Sequence, residues 1–184
     1  MNDEFVDILD EFGAPTGEVK LKSEAHSKGL FHPTVHIWFY TQKSELLFQK
    51  RAISKKTFPG LWDVSVAGHI SAGEKIIDSA IREIKEEIGL DILVENLEKI
   101  GIHKCIQRHN EHLTDCEFHH IFICELTKPL KSLKLQETEV DDIKLVPIEY
   151  FEQLLSNKHL SKDYVLLDNK YYDIVLNSIK KRLG

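Results

Sequence analysis

The chain has 184 residues, of which 42% are hydrophobic, and this length fits one folded domain with a sizeable core. Its formal net charge of −6 argues against binding to nucleic acid polymers, whereas a small anionic substrate can still be held by local cations or a bound metal. The three cysteines form no CxxC pair, the amino terminus lacks a signal pattern, and no apolar run approaches the ~18 residues of a membrane span. A cytoplasmic protein without a membrane partner is therefore expected.

The first predicted elements are β-strands. Turn residues at Gly13, Pro15 and Gly17 lie between two short apolar runs, which predicts an N-terminal β-hairpin extension. The stretches TVHIWFYT and ELLFQKR are rich in β-branched, aromatic and aliphatic residues, and WDVSVAGH follows after an FPG break. These three stretches predict strands of the main sheet.

Two of these strands carry candidate substrate-binding residues. Lys50 and Arg51 end the second strand, where they are placed either to contact phosphate or to remain solvated surface cations. Trp38 lies in an apolar strand and is expected in the core, whereas Trp62 is a candidate for either the core or a substrate pocket.

A helical period begins at residue 75. Isoleucines at 77, 81, 84 and 88 form one apolar stripe, and Gly89 is placed to end the helix at a left-handed residue. On the same helix Glu83, Glu86 and Glu87 fall at i, i+3 and i+4, so they lie on one side, roughly opposite the stripe. Three like charges on adjacent turns repel, which indicates either a solvated acidic face or a site for a positive ion.

The remaining chain alternates between strand and helix patterns. Strands are predicted at LEKIGIHKCIQ, EFHHIFICEL and EVDDIKLVP, and helices at IEYFEQLLSN and YYDIVLNSIKKRL. His119 and His120 are adjacent in a strand and should point to opposite faces, each more simply explained as a satisfied or exposed side chain than as a metal ligand. The sequence thus predicts an α/β fold with a mixed sheet between helical layers, as a single domain over residues 1–184 with a C-terminal helix.

The stretch GHISAGEKIIDSAIREIKEEIGL, residues 68–90, has a specific spacing. Every position of the pattern G-x5-E-x7-R-E-I-x-E-E-x-G-L is filled, and this stretch resembles the Nudix box. The resemblance implies the Nudix fold and a Mg²⁺ or Mn²⁺ ion bound by Glu83, Glu86 and Glu87, with the Gly68 carbonyl as a further ligand.

The same resemblance implies roles for the other charged residues. Arg82 would hold the carboxylates in place by ion pairing, and Glu74 would close the loop against the helix or assist the water network. The family draws its general base from different places, so Glu87 and Glu117 are both candidates.

The flanking segments AHSKGLFHPTVHIWFY and LLFQKRAISKKTFPGLWDVSVAGH resemble isopentenyl-diphosphate isomerases and the Nudix hydrolases related to them. By this resemblance His26, His32 and His69 fall where the isomerases carry a histidine-rich metal site, together with Glu117 and Asp115. Whether these residues form a second metal site here is left open. Ala67 occupies the position of the isomerase's catalytic cysteine, and the box glutamates are intact, so the resemblance favours a hydrolase.

The expected function is divalent-metal-dependent hydrolysis of a diphosphate linkage in a nucleoside diphosphate derivative or a similar small organic diphosphate. Two alternatives are retained: an isopentenyl-diphosphate delta-isomerase, which Ala67 disfavours, and a noncatalytic sensor that binds a nucleotide diphosphate. The expected partner is the small-molecule substrate, and the family resemblance also admits a homodimer.

Overall fold

The computed structural model describes residues 3–157 and 159–184 and contains nine strands and four α-helices within those ranges. The strands are β1 (Phe5–Leu9), β2 (Pro15–Leu21), β3 (His32–Thr41), β4 (Glu45–Arg51), β5 (Trp62–Asp63), β6 (Val66–His69), β7 (Glu98–Asn110), β8 (Leu113–Glu125) and β9 (Val140–Pro147). The helices are α1 (Lys22–Lys28), α2 (Ile76–Ile88), α3 (Ile148–Ser156) and α4 (Asn169–Leu183). None of the helices within these ranges is long and apolar enough to cross a membrane.

The main sheet is mixed and has helices on both faces. Its strand order is β5-β4-β3-β8-β7, with β3 and β8 parallel, while β6 pairs with β3 and β9 pairs with β4. One face packs against α3 and α4 around Trp38 and Phe151, and the other packs against α2 around Ile84 and Ile88. The predicted α/β class with a sheet between helical layers is therefore confirmed.

The sheet divides where β3 separates from β4. The two strands pair only at Tyr40 and Thr41, and β6 then takes the place of β4 beside β3. At this division the Ser65 hydroxyl accepts a hydrogen bond from the Phe39 amide at 2.9 Å and donates one to the Leu47 carbonyl. Ser65 thereby satisfies one backbone group of each strand where they no longer pair.

Helix α2 agrees closely with the predicted boundaries. It spans Ile76–Ile88 and ends at Gly89, which has a left-handed φ of 70°. A β-carbon at Gly89 would also approach the Lys134 side chain at 2.8 Å, so both conformation and space favour glycine there. Ile84 and Ile88 are fully buried, as their place in the apolar stripe predicts.

Four features of the fold differ from the expectations or extend them. Helix α1 was not predicted, because its seven residues bury only Ala25 and therefore show no helical stripe. The stretch WDVSVAGH forms two short strands, β5 and β6, rather than one. The hairpin β1-β2 forms a separate two-stranded antiparallel sheet. His119 and His120 are both buried, and one nitrogen of each, His119 Nε2 and His120 Nδ1, has no hydrogen-bond partner among the described residues, so the expectation of satisfied or exposed side chains is wrong.

Buried histidines predict a loss of stability in mild acid. Burial lowers the pKa of His120 to about 4, below the value of about 6.5 for an unfolded chain. Between these values the unfolded chain binds a proton that the folded chain does not, so stability falls as pH drops from about 6.5 to about 4, by up to about 1.4 kcal/mol per pH unit for each such histidine.

Urea unfolding of His120→Gln at several pH values tests this expectation. The variant should show a shallower acid dependence than the wild type, whereas the same change at the exposed His112 should leave the slope unaltered. Equal slopes in His120→Gln and the wild type would contradict the assignment.

Candidate active site

The turn from β6 into α2 brings the box residues together. Gly68 lies in β6 directly under Glu83, and a β-carbon at position 68 would lie 2.0 Å from the Glu83 carboxyl carbon. Only glycine therefore leaves room for this carboxylate against the strand. The close approach also places the Gly68 backbone beside the Glu83 carboxylate.

Arg82 organises the acidic groups through one guanidinium. It donates to both Glu74 oxygens at 3.0 and 2.9 Å, to Glu83 at 2.7 Å, to Glu86 at 3.2 Å and to the His69 carbonyl at 3.1 Å. The hydrogen bonds from Arg82 lower the pKa of Glu74, while the carboxylates around Arg82 raise the pKa of the guanidinium. Arg82 thus takes the ion-pairing position expected for it.

Glu83 and Glu87 are buried, although their helix position had indicated a face opposite the core. Glu87 reaches the division in the sheet, where it accepts hydrogen bonds from the Gln49 side chain at 3.0 Å and the Ala67 amide at 3.4 Å. Burial raises the pKa of Glu83 to about 7 and that of Glu87 well above its ordinary range. Sequence periodicity did not predict that Glu87 is buried or that Gln49 binds it. Both features depend on the division of the sheet between β4 and β6, which no pattern within one element reveals.

The donor types of this turn suit a hard divalent cation, although the ligand atoms of the three carboxylates do not all lie within 4.8 Å of one another in the part of the chain that the structure describes. Three carboxylates and a backbone carbonyl are oxygen ligands of the kind that Mg²⁺ and Mn²⁺ prefer. Arg82 is the cation that pairs with Glu83 and Glu86 among the described residues, and its charge is also shared with Glu74. A divalent ion bound here would favour the charged forms of Glu83 and Glu87, which burial disfavours.

A histidine cluster forms a second group of donor atoms. Ligand atoms of His26, His32, His69 and Glu117 all lie within 4.8 Å of one another. His32 and His69 each point Nε2 at the same Glu117 oxygen, at 3.6 Å, and His26 Nε2 lies 3.1 Å from His69 Nε2. The structure therefore brings together the residues that the isomerase resemblance singles out.

Contacts of the outer nitrogens orient two histidines of this cluster. His32 Nδ1 lies at hydrogen-bond distance, 2.8 Å, from the Leu30 carbonyl. His26 Nδ1 lies 2.8 Å from an Asp115 carboxylate oxygen but makes no hydrogen bond to it. The buried His32 Nε2 has no hydrogen-bond partner. Metal-binding histidines commonly show such an anchored outer nitrogen and free inner nitrogen, so these residues fit a transition-metal ion.

Glu117 belongs to this histidine cluster and not to the carboxylates of α2. Burial disfavours its charged form, but His32, His69 and His119 more than compensate and hold its pKa well below the usual range. The two candidate general bases, Glu87 and Glu117, are thus placed in different clusters.

Lys50 and Arg51, the two predicted phosphate contacts, have different partners in the structure. Arg51 donates to Asp63 at 2.9 Å and to the Thr57 carbonyl and hydroxyl, at 3.1 Å each, so its guanidinium is already engaged. Lys50 lies near the ring of Trp62, with 5.9 Å from its Nζ to the ring centroid. Trp62 is half-buried, whereas Trp38 is 1% exposed, which confirms Trp38 as a core residue.

Replacing Arg82 by lysine is expected to lower both divalent-metal affinity and kcat/KM by about 10–100-fold. A single ammonium cannot span two carboxylates and the His69 carbonyl as the planar guanidinium does. Isothermal titration with Mn²⁺ and steady-state kinetics measure the two effects. The same change at Arg182, which pairs with Glu98 on the surface, is the control, and equal behaviour of the two variants would refute the role of Arg82.

Comparison with known proteins agrees with this geometry. The sequence matches the NUDIX domain family over residues 30–168. It is 40% identical over 161 residues to an uncharacterized Nudix hydrolase of Clostridium acetobutylicum, covering 86% of this chain and 77% of that protein. It is 31% identical to Isopentenyl-diphosphate Delta-isomerase 2 of Photorhabdus laumondii, covering 84% of both proteins.

Two further similarities extend over almost the whole chain. Nudix hydrolase 3 of Arabidopsis thaliana is 34% identical across 99% of this chain, which spans 24% of that longer protein. A crystal structure from Deinococcus radiodurans superposes with a TM-score of 0.69 at 17% identity, covering 90% of this chain and 94% of the other, and this supports the fold alone. The chain belongs to the NUDIX domain family and is an enzyme of its hydrolase type.

Proposed function

We propose that this protein hydrolyses the diphosphate linkage of a small organic diphosphate or nucleoside diphosphate derivative in a Mg²⁺- or Mn²⁺-dependent reaction. The observation that carries the proposal is the position of Glu83 against Gly68, with Arg82 paired to both Glu83 and Glu86 and with Glu87 on the same helix. A bound divalent ion would neutralise charge on the substrate phosphates and favour attack by water at phosphorus.

The chain's own residues have separable roles in this proposal. Arg82 fixes the orientation of Glu83 and Glu86, and Glu74 in turn fixes Arg82 through two hydrogen bonds. Gln49 and the Ala67 amide hold one oxygen of Glu87. We infer that Glu87 is better placed than Glu117 to accept the proton of the attacking water, because histidines surround the Glu117 carboxylate.

An activity screen against organic diphosphates, each with and without Mg²⁺, tests the function. The expected result is metal-dependent release of phosphate or nucleotide from at least one nucleoside diphosphate derivative or prenyl diphosphate. Tight binding of such a compound with no turnover in Mg²⁺ or Mn²⁺ would overturn the proposal in favour of a noncatalytic sensor.

The isomerase alternative is supported by the assembled histidine cluster and by a relative of that name. It is opposed by Ala67, whose methyl group cannot transfer a proton where the isomerases use a thiol. Proton NMR of isopentenyl diphosphate incubated with the enzyme distinguishes the two reactions. We expect no dimethylallyl diphosphate, and its appearance without phosphate release would establish the isomerase.

A further inference from the structure

A further group of possible metal ligands adjoins the histidine cluster, on the face of the sheet that packs against α4. One ligand atom each from His36, Glu117 and His119 lies within 4.8 Å of the other two. Residues at alternate positions of a strand share a face, so His36 of β3 lies on the same side of the sheet as His32. Glu117 is common to the histidine cluster and to this group, which is called here the His36 site.

The two oxygens of Glu117 face different histidines. Oε1 lies 3.6 Å from Nε2 of both His32 and His69, whereas Oε2 lies 3.4 Å from His119 Nδ1. All three separations are longer than the ~2.7–3.2 Å of a typical N–H···O hydrogen bond. A carboxylate with one oxygen directed toward each set of histidines is placed to bridge two metal ions.

Both histidines of the His36 site are held through Nδ1 by a hydroxyl group. His119 Nδ1 lies 2.8 Å from Thr34 Oγ1. His36 Nδ1 lies 2.8 Å from the Tyr171 hydroxyl oxygen, which accepts a hydrogen bond from Trp38 Nε1 and can accept another from His36. Metal-binding histidines commonly have one nitrogen held in this way, which leaves Nε2 of each ring for a metal ion.

His119 also has a buried nitrogen without a partner. Its side chain is 4% exposed, and Nε2 has no hydrogen-bond partner in the described part of the chain. Leaving a buried polar atom unpaired is unfavourable, and a metal ion would supply the missing partner. Burial lowers the pKa of His36 to about 4 and that of His119 to about 3, so both imidazoles are neutral at pH 7, the form that binds metal.

The ligand types of the His36 site indicate which class of metal it would take. The imidazole rings of His36 and His119 are stacked, with their centroids 3.9 Å apart and an angle of 21° between their planes. Two imidazoles and one carboxylate suit Zn²⁺ and other divalent first-row transition metals, whereas Mg²⁺ prefers oxygen ligands. Three protein ligands also leave a coordination position for water.

We propose that His36 and His119 bind a divalent transition-metal ion such as Zn²⁺, and that Glu117 bridges this ion to a second ion held by the histidine cluster. Two ions that share ligands are typically about 3.5–4 Å apart, a distance that a single carboxylate can span. The site lies apart from the carboxylates of α2, and the proposed diphosphate hydrolysis does not depend on it.

Zinc binding in the presence of excess Mg²⁺ provides the first test, because Mg²⁺ competes weakly for imidazole ligands. The metal content of each protein is measured by inductively coupled plasma mass spectrometry after unbound metal has been removed. His36→Gln and His119→Gln should each hold one Zn²⁺ per chain fewer than the wild type. His112→Gln, at an exposed position, is the matched control and should hold as much Zn²⁺ as the wild type. A wild-type content in either His36→Gln or His119→Gln would overturn the proposal.

Electron paramagnetic resonance of the protein titrated with Co²⁺ tests whether Glu117 joins the two ions. The signal per bound Co²⁺ should fall when the second ion binds, because unpaired electrons on two ions bridged by a carboxylate are coupled. In His119→Gln the signal should stay proportional to bound Co²⁺. A proportional signal in the wild type would refute the bridge.

Circular dichroism of each variant confirms that a lost ion does not reflect unfolding. Neither metal measurement involves diphosphate hydrolysis, so this inference and the proposed function can fail separately. If no diphosphate is hydrolysed but His36→Gln and His119→Gln each lose one Zn²⁺, the metal site stands and the hydrolase proposal fails. If hydrolysis proceeds and neither variant loses Zn²⁺, the metal site is refuted while the hydrolase proposal stands.

Discussion

Replacing Glu87 by glutamine is expected to lower kcat for diphosphate hydrolysis by about 10²–10⁴-fold, the range observed when a positioned acid–base group is removed. The amide can still accept hydrogen bonds from Gln49 and the Ala67 backbone, so the local packing should persist. It cannot provide the negative charge that binds a cation or accepts a proton from water. Steady-state kinetics with Mg²⁺ measure the effect.

Thermal unfolding distinguishes this loss of charge from a loss of structure. Burial makes the Glu87 carboxylate unfavourable in the absence of a cation, so the metal-free variant should be at least as stable as the wild type at neutral pH. The increase in Tm that Mg²⁺ gives the wild type should be absent. Glu95→Gln at an exposed site is the control, and a Glu87→Gln enzyme with wild-type kcat would refute the assigned site.

Replacing Gly68 by alanine is expected to reduce kcat/KM by about 10–100-fold without any change in the titratable groups. The added methyl would lie 2.0 Å from the Glu83 carboxyl carbon, so Glu83 must move away from β6 and weaken its contact with Arg82. Crowding in a packed site of this kind also costs about 1–3 kcal/mol of folding free energy. Kinetics and urea unfolding measure the two effects.

Gly101→Ala is the matched control, because it introduces the same methyl group at a strand glycine where the nearest atom belongs to Ile174 at 3.2 Å. It should affect stability but leave Mn²⁺ affinity and kcat near wild-type values. If Gly68→Ala also kept wild-type Mn²⁺ affinity, the close approach of Glu83 to β6 would have no functional meaning.

The sequence was most informative about helix α2, because the whole pattern of apolar and acidic residues lies within that one element. Helix α2 carries both its isoleucine stripe and its carboxylates within 13 residues, so periodicity predicted its boundaries, and the metal-binding role that the family resemblance implies for the carboxylates stays a prediction. The same local information could not reveal that Glu87 is buried. That burial depends on Gln49 and Ala67, which belong to different strands beside the division in the sheet.

The two predicted phosphate contacts show the same limit. Lys50 and Arg51 look equivalent in sequence, but Asp63, twelve positions from Arg51, holds only the arginine. Strand pairing also places Asp142 of β9 opposite Lys50 of β4, a neighbour that no local pattern reveals. The family resemblance, in contrast, did identify the residues of the histidine cluster.

At Ala67 the backbone contacts helix α2 on one side of the sheet, whereas the side chain packs on the side of α3 and α4. The Ala67 amide donates a hydrogen bond to Glu87, while its methyl group packs against the hydrophobic core on the α3 and α4 side of the sheet. A larger side chain at position 67 would therefore extend into the core on the α3 and α4 side, whereas the amide contact to Glu87 does not depend on the side chain. Every residue except proline supplies that amide, so the contact constrains the backbone at position 67 and not the identity of its side chain.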